Sequence, residues 1–376
     1  MNSSVLQLNV EKRTFFKKFD INFALVIFAL NVIGLINLYS ATHGVAINTS
    51  SRLFYQQIFW ISTAWMVYVI ATLVDYKFFA RFAWIFYFFN IVAMAAVPFF
   101  GKTFYGAQRW LDLGFFRYQP SETMKLAVIL VLAKVLSKNS EPSGLGLRDL
   151  ILPGLITMIP FGLTVKQPDL GTALMIAIIS LSMLFFVRLK KSIIVTALLL
   201  GLTAAPLIWS FGLKPYQKDR ILTFLNPGRD PRNKGYNSIQ SKIAVGSGQL
   251  VGKGFRRGTQ SQLEFLPERH TDFIYSVLSE EHGFIGSVTT FGLFIILYLM
   301  AIRIASQARD RFGALLVVGI LAYLFWHVFV NIGMVIGILP IVGVPLPLLS
   351  YGGSSLLATM SGMGLISSVA FRRYLF

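Results

Sequence analysis

The chain has 376 residues, 55% of them hydrophobic and 13% charged, with a mean hydropathy of +0.66. A soluble domain is about 45–50% apolar and about 25% charged, so a set of water-soluble domains is excluded. The net charge is +18, from 34 Lys+Arg against 16 Asp+Glu, and the absence of cysteine removes disulfides, a thiol nucleophile and thiolate metal sites.

A bilayer core takes about 20 consecutive, mostly apolar residues in a helix. Ten runs of that kind follow in order: 22–42, 54–74, 78–100, 121–137, 149–165, 171–187, 191–212, 283–303, 314–338 and 352–371. The fourth to sixth are short or interrupted. Lys12, Arg13, Lys17 and Lys18 precede the first. That run is longer than the apolar core of a signal peptide and lacks a small-residue cleavage site, so it reads as a retained helix. The fold class is an all-α polytopic membrane protein, one membrane domain over 1–376.

Lys/Arg placement orients the spans. With the N-terminus inside, the inner segments hold those four plus Lys77, Arg81, Lys134, Lys138, Arg148, Arg188, Lys190, Lys191, Arg303, Arg309, Arg311, Arg372 and Arg373. The short outer segments hold only Arg52, Lys102, Arg109, Arg117 and Lys166. Both termini are therefore expected in the cytoplasm. The large outer loop, 213–272, is basic as well. It reads either as a solvated loop or as a surface for an outer-leaflet anion. Its segments 237–245 and 259–268 predict short amphipathic helices on the outer membrane surface.

Several stretches carry candidate chemistry. VGSGQLVGKG (245–254) fails as a phosphate-binding P-loop, because Ser247 replaces the first glycine and Gly254 follows Lys253. No paired-histidine metal motif is present, and His327 reads as a core histidine inside a span. In GAQRWLDLG (106–114), Arg109 and Trp110 set a guanidinium and an indole at the interface, where Trp also serves as a plain aromatic anchor. Glu122 and Lys125 lie three apart on one helical face, either neutralising each other at a helix end or serving function, as charges in or beside spans do. KQPDLGTALM (166–175) interrupts an apolar region and places Asp169 at the break, which is tolerated where a cavity is lined. GVPLPLLSYGGSS (343–355) predicts a rigid broken element. In LPERHTDFIYSVLSEEHGF (266–284), a helix over 271–282 would stack Asp272, Ser276 and Glu280 on one face. Phe273, Ile274, Val277 and Leu278 would line the other, and the eighth span would start at 283. Asp272 is then either an N-cap carboxylate or a general base.

GAQRWLDLG, QPSE, QPDLGT, TQSQLEFLPERHTDF and GVPLPLLSYGGSS together resemble the SEDS (shape, elongation, division and sporulation) family, along the whole chain. EFLPERHTDF favours its rod-shape-determining branch over its division branch. The resemblance implies a peptidoglycan glycosyltransferase that polymerises lipid II at the outer leaflet beside a class B penicillin-binding protein, without ATP or nucleic acid. It implies catalysis by Asp272. It also implies substrate binding through Arg109, Trp110, Glu122, Lys125 and Asp169. Arg269 and His270 are added as electrostatic neighbours of Asp272, and Arg220 as an outer-loop cation for the departing pyrophosphate. No cofactor follows, although a Mg or Mn ion held by Asp169 and Glu122 would suit a pyrophosphate leaving group. A lipid II flippase and a non-catalytic scaffold are the alternatives.

Overall fold

The computed structural model describes residues 19–42, 47–104, 107–112, 114, 117–138, 144–212, 215–230, 234–263 and 265–373. Lys12, Arg13, Lys17, Lys18, Lys214, Arg232 and Glu264 lie outside the described residues.

The helices run α1 (Ile21–Thr42), α2 (Ile47–Leu73), α3 (Tyr76–Phe100), α4 (Pro120–Lys138), α5 (Ile151–Lys166), α6 (Leu170–Phe186) and α7 (Lys191–Leu207). After the outer loop come α11 (Ile274–Ser306), α12 (Arg311–Ile336) and α13 (Gly353–Arg372). All ten expected positions are helical, yet among the described residues seven helices are by length and composition sufficient to cross a membrane. The other three differ for physical reasons. α6 and α7 are short, and α4 carries Glu122, Lys125, Lys134 and Lys138.

α4 can hold charges because it is the central helix. It packs against α3, α5, α6, α12 and α13 and is buried on nearly every side from Pro120 to Ala133. α13 lies along α2. α7 by contrast exposes Leu199, Leu200 and Leu202, as a lipid-facing helix does.

Helix ends are tied on two opposite faces. On one, Arg372 bridges to Asp75, and Tyr76 donates to Asp310 at 2.9 Å. On the other, Ser40 donates to Glu281 at 2.5 Å. Consecutive spans therefore end on alternate faces, as a polytopic helix bundle requires.

The outer segments depart from the expectation in three ways. The segment between α3 and α4 forms a small antiparallel sheet of β1 (Gly101–Phe104), β2 (Ala107–Asp112) and β3 (Arg117–Tyr118), with Lys102 opposite Trp110 and Asp112 opposite Arg117. In the large loop, α8 (Pro215–Leu225) and α9 (Lys234–Ser247) are helical, but 259–268 yields only the turn α10 (Thr259–Gln262). α9 does not simply lie on the membrane: it packs on α11 and α12, with Ser241 donating to the Val335 carbonyl at 2.7 Å.

Third, no separate surface helix spans 271–282. α11 begins at Ile274 and runs through, broken at Gly283 (φ 64°, ψ −157°). Every residue from Ile274 to Glu281 is buried, the polar ones included. The outer loop folds back over the polar face and satisfies it. Glu280 accepts from Lys253 Nζ at 2.7 Å and from the backbone N–H groups of Gln260 and Ser261 at 3.0 and 3.3 Å. The backbone groups freed by the break are met as well. Lys253 and Gly254 N–H donate to the Glu280 and Glu281 carbonyls, and Phe284 and Ile285 N–H donate to the Gln249 and Leu250 carbonyls. Broken helices in membrane proteins need such substitutes, because lipid supplies none.

Candidate active site

Asp272 sits in the turn just before α11. Three elements fix the short segment 269–272. Arg269 Nε donates to the Ala41 carbonyl at the end of α1 at 2.7 Å. Tyr351 N–H donates to the His270 carbonyl at 3.0 Å. Ser350 Oγ donates to the Thr271 carbonyl at 2.6 Å and accepts from Leu346 N–H. Asn331, from α12, donates to both the Asp272 and Val344 carbonyls, at 2.9 and 2.7 Å. The 343–351 element thus serves as a cradle. Gly343 has φ 79°, and a Cβ there would lie 3.3 Å from Asp272 Oδ2, so glycine meets a backbone demand and leaves the carboxylate its room.

The Asp272 carboxyl is pushed up to about 7, chiefly by burial. Glu268 and Asp169 raise it further, while a Thr271 hydrogen bond and the Arg109 charge oppose them. Burial also holds His270 below its ordinary value, with Glu268 pulling the other way. His270 Nε2 is 3.9 Å from Glu268.

Arg109 reaches the site from β2. Its Nη1 lies 3.5 Å from Asp169 Oδ2, its Nε donates to the Gln167 carbonyl at 3.3 Å, and its Nη2 to the Pro168 carbonyl. Asp169 also caps α6 by accepting from Thr172 N–H at 3.2 Å. The sheet therefore delivers a guanidinium onto the α5–α6 break, within electrostatic reach of Asp272. Gly171 lets this break approach the cradle, since any Cβ would collide with Val342.

Glu122 and Lys125 form a second centre on α4, paired at 2.8 Å and almost fully buried. His327 on α12 joins them, 2.9 Å from Lys125. Trp110 is half-buried on β2 beside Arg109. Arg220 is half-buried on α8, whose packing is against α9 and the 227–229 turn. Arg269 spends its Nε on α1.

The structure thus gathers Asp272, His270, Arg109 and Asp169 on the outer side, with Glu122 and Lys125 as a separate buried pair. Asn331 and His327 are participants that the sequence does not single out, whereas Ser350 belongs to the 343–355 element whose serines the sequence offers as cavity-lining residues. A polar residue inside an apolar run was the available signal for Asn331. Among the described residues no three His, Asp or Glu side chains gather as a metal site. Asp169 and Glu122 each face a protein cation, Arg109 and Lys125 respectively.

Residues 20–375 match the family model FTSW_RODA_SPOVE, described as a cell cycle protein. The chain belongs to the FtsW/RodA/SpoVE family. Peptidoglycan glycosyltransferase MrdB of Escherichia coli K12 is 41% identical to this family member over 367 residues, 97% of each chain. Peptidoglycan glycosyltransferase RodA of Treponema pallidum is 34% identical, covering 94% of this chain and 98% of that one. A chain of a solved peptidoglycan synthase complex, which coordinates polymerization and crosslinking, matches with a TM-score of 0.81 at 31% identity, covering 95% of this chain and 99% of that chain. The crystal structure of the rod shape determining protein RodA of Thermus thermophilus matches at 0.70 and 28% identity, covering 95% and 98%. As a member of this family with seven apolar helices of spanning length, the chain is a multi-pass membrane protein of the bacterial inner membrane.

Proposed function

We propose that this FtsW/RodA/SpoVE protein is a peptidoglycan glycosyltransferase of cell elongation, polymerising lipid II at the outer leaflet with Asp272 as general base. One observation carries the assignment: a carboxyl group raised towards neutrality on the outer side, within electrostatic reach of the Arg109 guanidinium. A base whose pKa lies near the working pH combines the right protonation state with useful basicity.

In this reading the acceptor sugar hydroxyl loses its proton to Asp272 as its oxygen attacks the donor anomeric carbon. The bond from that carbon to the pyrophosphate oxygen breaks, and the lipid pyrophosphate leaves with the electron pair. A single displacement inverts the anomeric centre. Arg109 stabilises the departing charge; a guanidinium fork suits phosphate oxygens. Asp169 holds that fork in place until substrate competes for it. Lys125, with Glu122, supplies the deeper cation for the lipid-linked diphosphate. Trp110 offers an apolar plate beside Arg109. His270 adjoins Asp272, and Arg269 and Arg220 extend the basic rim. No step is routed through a metal. The partner is a class B penicillin-binding protein, in keeping with a fold match to a synthase complex that couples polymerization with crosslinking.

Purified protein and partner, given labelled lipid II in detergent, test this. Glycan polymer is expected with the native protein and none with Asp272→Ala or Asp272→Asn. A native complex that makes no polymer but moves lipid II across vesicle membranes would overturn the reading in favour of transport.

A further inference from the structure

The buried centre on α4 has a member that the scheme above leaves without a task. Lys125, Glu122 and His327 are 2%, 4% and 1% exposed. Lys125 Nζ lies 2.8 Å from Glu122 Oε1 and 2.9 Å from His327 Nε2. An ammonium has three donors and no acceptor, so Nε2 must be the acceptor. His327 Nδ1 lies 2.7 Å from the Tyr323 carbonyl oxygen. A carbonyl oxygen only accepts, so Nδ1 carries the proton. These two bonds assign one neutral tautomer, with its lone pair aimed at Lys125.

A histidine needed only for packing has its N–H satisfied by the Tyr323 carbonyl and no call for a cation on its other nitrogen. Here the second nitrogen is spent on the ammonium. A lysine is a point charge on a flexible four-carbon stem. Glu122 alone would leave it free to swing, because Glu122 has a second oxygen, Oε2, with no hydrogen-bond partner among the described residues. The Tyr323 ring, 5.2 Å from Nζ, closes another side. Glu122, His327 and Tyr323 together leave the ammonium one arrangement.

We infer that His327 is a positioning residue for polymerisation: its Nε2 fixes the Lys125 ammonium so that the Glu122–Lys125 pair meets the lipid-linked diphosphate in one geometry. This rests on the reading of Lys125 as a substrate cation.

The test compares His327→Phe, His327→Gln, Lys125→Met and the Lys125→Met/His327→Phe double variant in the purified complex. Lipid II polymerisation is read as kcat and KM, and folding as thermal unfolding in detergent. Phe keeps the ring and removes the acceptor. Gln keeps an acceptor near the Nε2 position and changes the shape. His327→Phe is expected to lower kcat/KM about tenfold or more, and His327→Gln to restore most of it. In the Lys125→Met background, His327→Phe should cost nothing further.

His327→Phe as active as the native protein overturns the inference. So does equal loss with Phe and Gln, or an undiminished effect without Lys125, since either result marks a packing role. If His327→Phe fails to fold, His327→Leu carries the same arm, and failure of both marks the residue as core support and overturns the inference as well. Full activity of Lys125→Met removes the underlying reading and the inference with it. That failure is recognised because it arises with His327 intact.

Discussion

A carboxyl group pushed up to about 7 is half protonated at neutral pH, which ties the chemistry of Asp272 to pH in a definite direction. The base is the carboxylate, so kcat/KM should fall as pH drops through about 7, and a profile from pH 5.5 to 8.5 reads this directly. Stability runs the other way. The folded state favours the protonated form, while the unfolded chain titrates near 3.8. The stability owed to this group is therefore full below about 4 and is lost as pH rises through about 7. Asp272→Asn keeps the shape and cannot ionise. It should unfold at a higher temperature than the native protein at pH 8, with the gap narrowing towards pH 5.5. A variant that is inactive yet more stable separates a functional carboxylate from a helix cap, whose loss would destabilise. At this scale the sequence was informative about identities and silent about pairings. Asp272, Arg109, Asp169, Glu122 and Lys125 each stood out as charges in apolar surroundings. Nothing in periodicity joins Arg109 to Asp169, or Lys125 to His327, because those partners come from separate helices and strands.

The elements were legible wherever lipid dictates them. Apolar runs of spanning length became helices, because an unsatisfied peptide group in hydrocarbon is too costly for any other local answer. The outer segments follow different constraints. The helical spacing of polar and apolar residues over 271–282 predicts an amphipathic helix at the outer surface. That polar face is instead covered by protein, with Glu280 fully buried and its carboxylate met by Lys253 and two backbone N–H groups. A periodicity tells which residues share a face and not what covers the face. The consequence is measurable. Glu280→Gln leaves Lys253 unpaired and the turn at 259–261 poorly held, and should cost about 3 kcal/mol, the low end for breaking a buried pair because Lys253 is partly exposed. Gly252→Ala is harsher in kind, since Gly252 has φ 83° and an added Cβ would strike the Glu281 carbonyl. It should destabilise by roughly 1–3 kcal/mol from the backbone conformation alone, read as a lower unfolding temperature.

For the whole molecule, the arrangement separates two faces. The outer one holds the sheet, the large loop and the candidate base, and the inner one holds the Asp75–Arg372 and Tyr76–Asp310 ties. The absence of cysteine makes this directly testable, because a single introduced thiol is the only one present. Leu250→Cys, exposed on the outer loop, should react with a membrane-impermeant maleimide in intact spheroplasts. Ser306→Cys, at the far end of α11, should react only after permeabilisation. Labelling of both in intact cells would contradict the orientation and, with it, an outer-leaflet reaction. Fold class was the most legible feature of this chain, since it follows from composition summed over many residues. The sheet was the least, being a few residues whose pairing depends on the helices that flank it.

The break at Gly283 also has a mechanical side. Four backbone hydrogen bonds fasten residues 249–254 to residues 280–285, and the chain between them closes on itself as a ring. Asp272 lies within that ring. A load applied to the earlier part of the large loop, by a bound partner or by a growing polymer, meets those four bonds before it reaches the base. The carboxylate keeps its place while the surface around it is pulled.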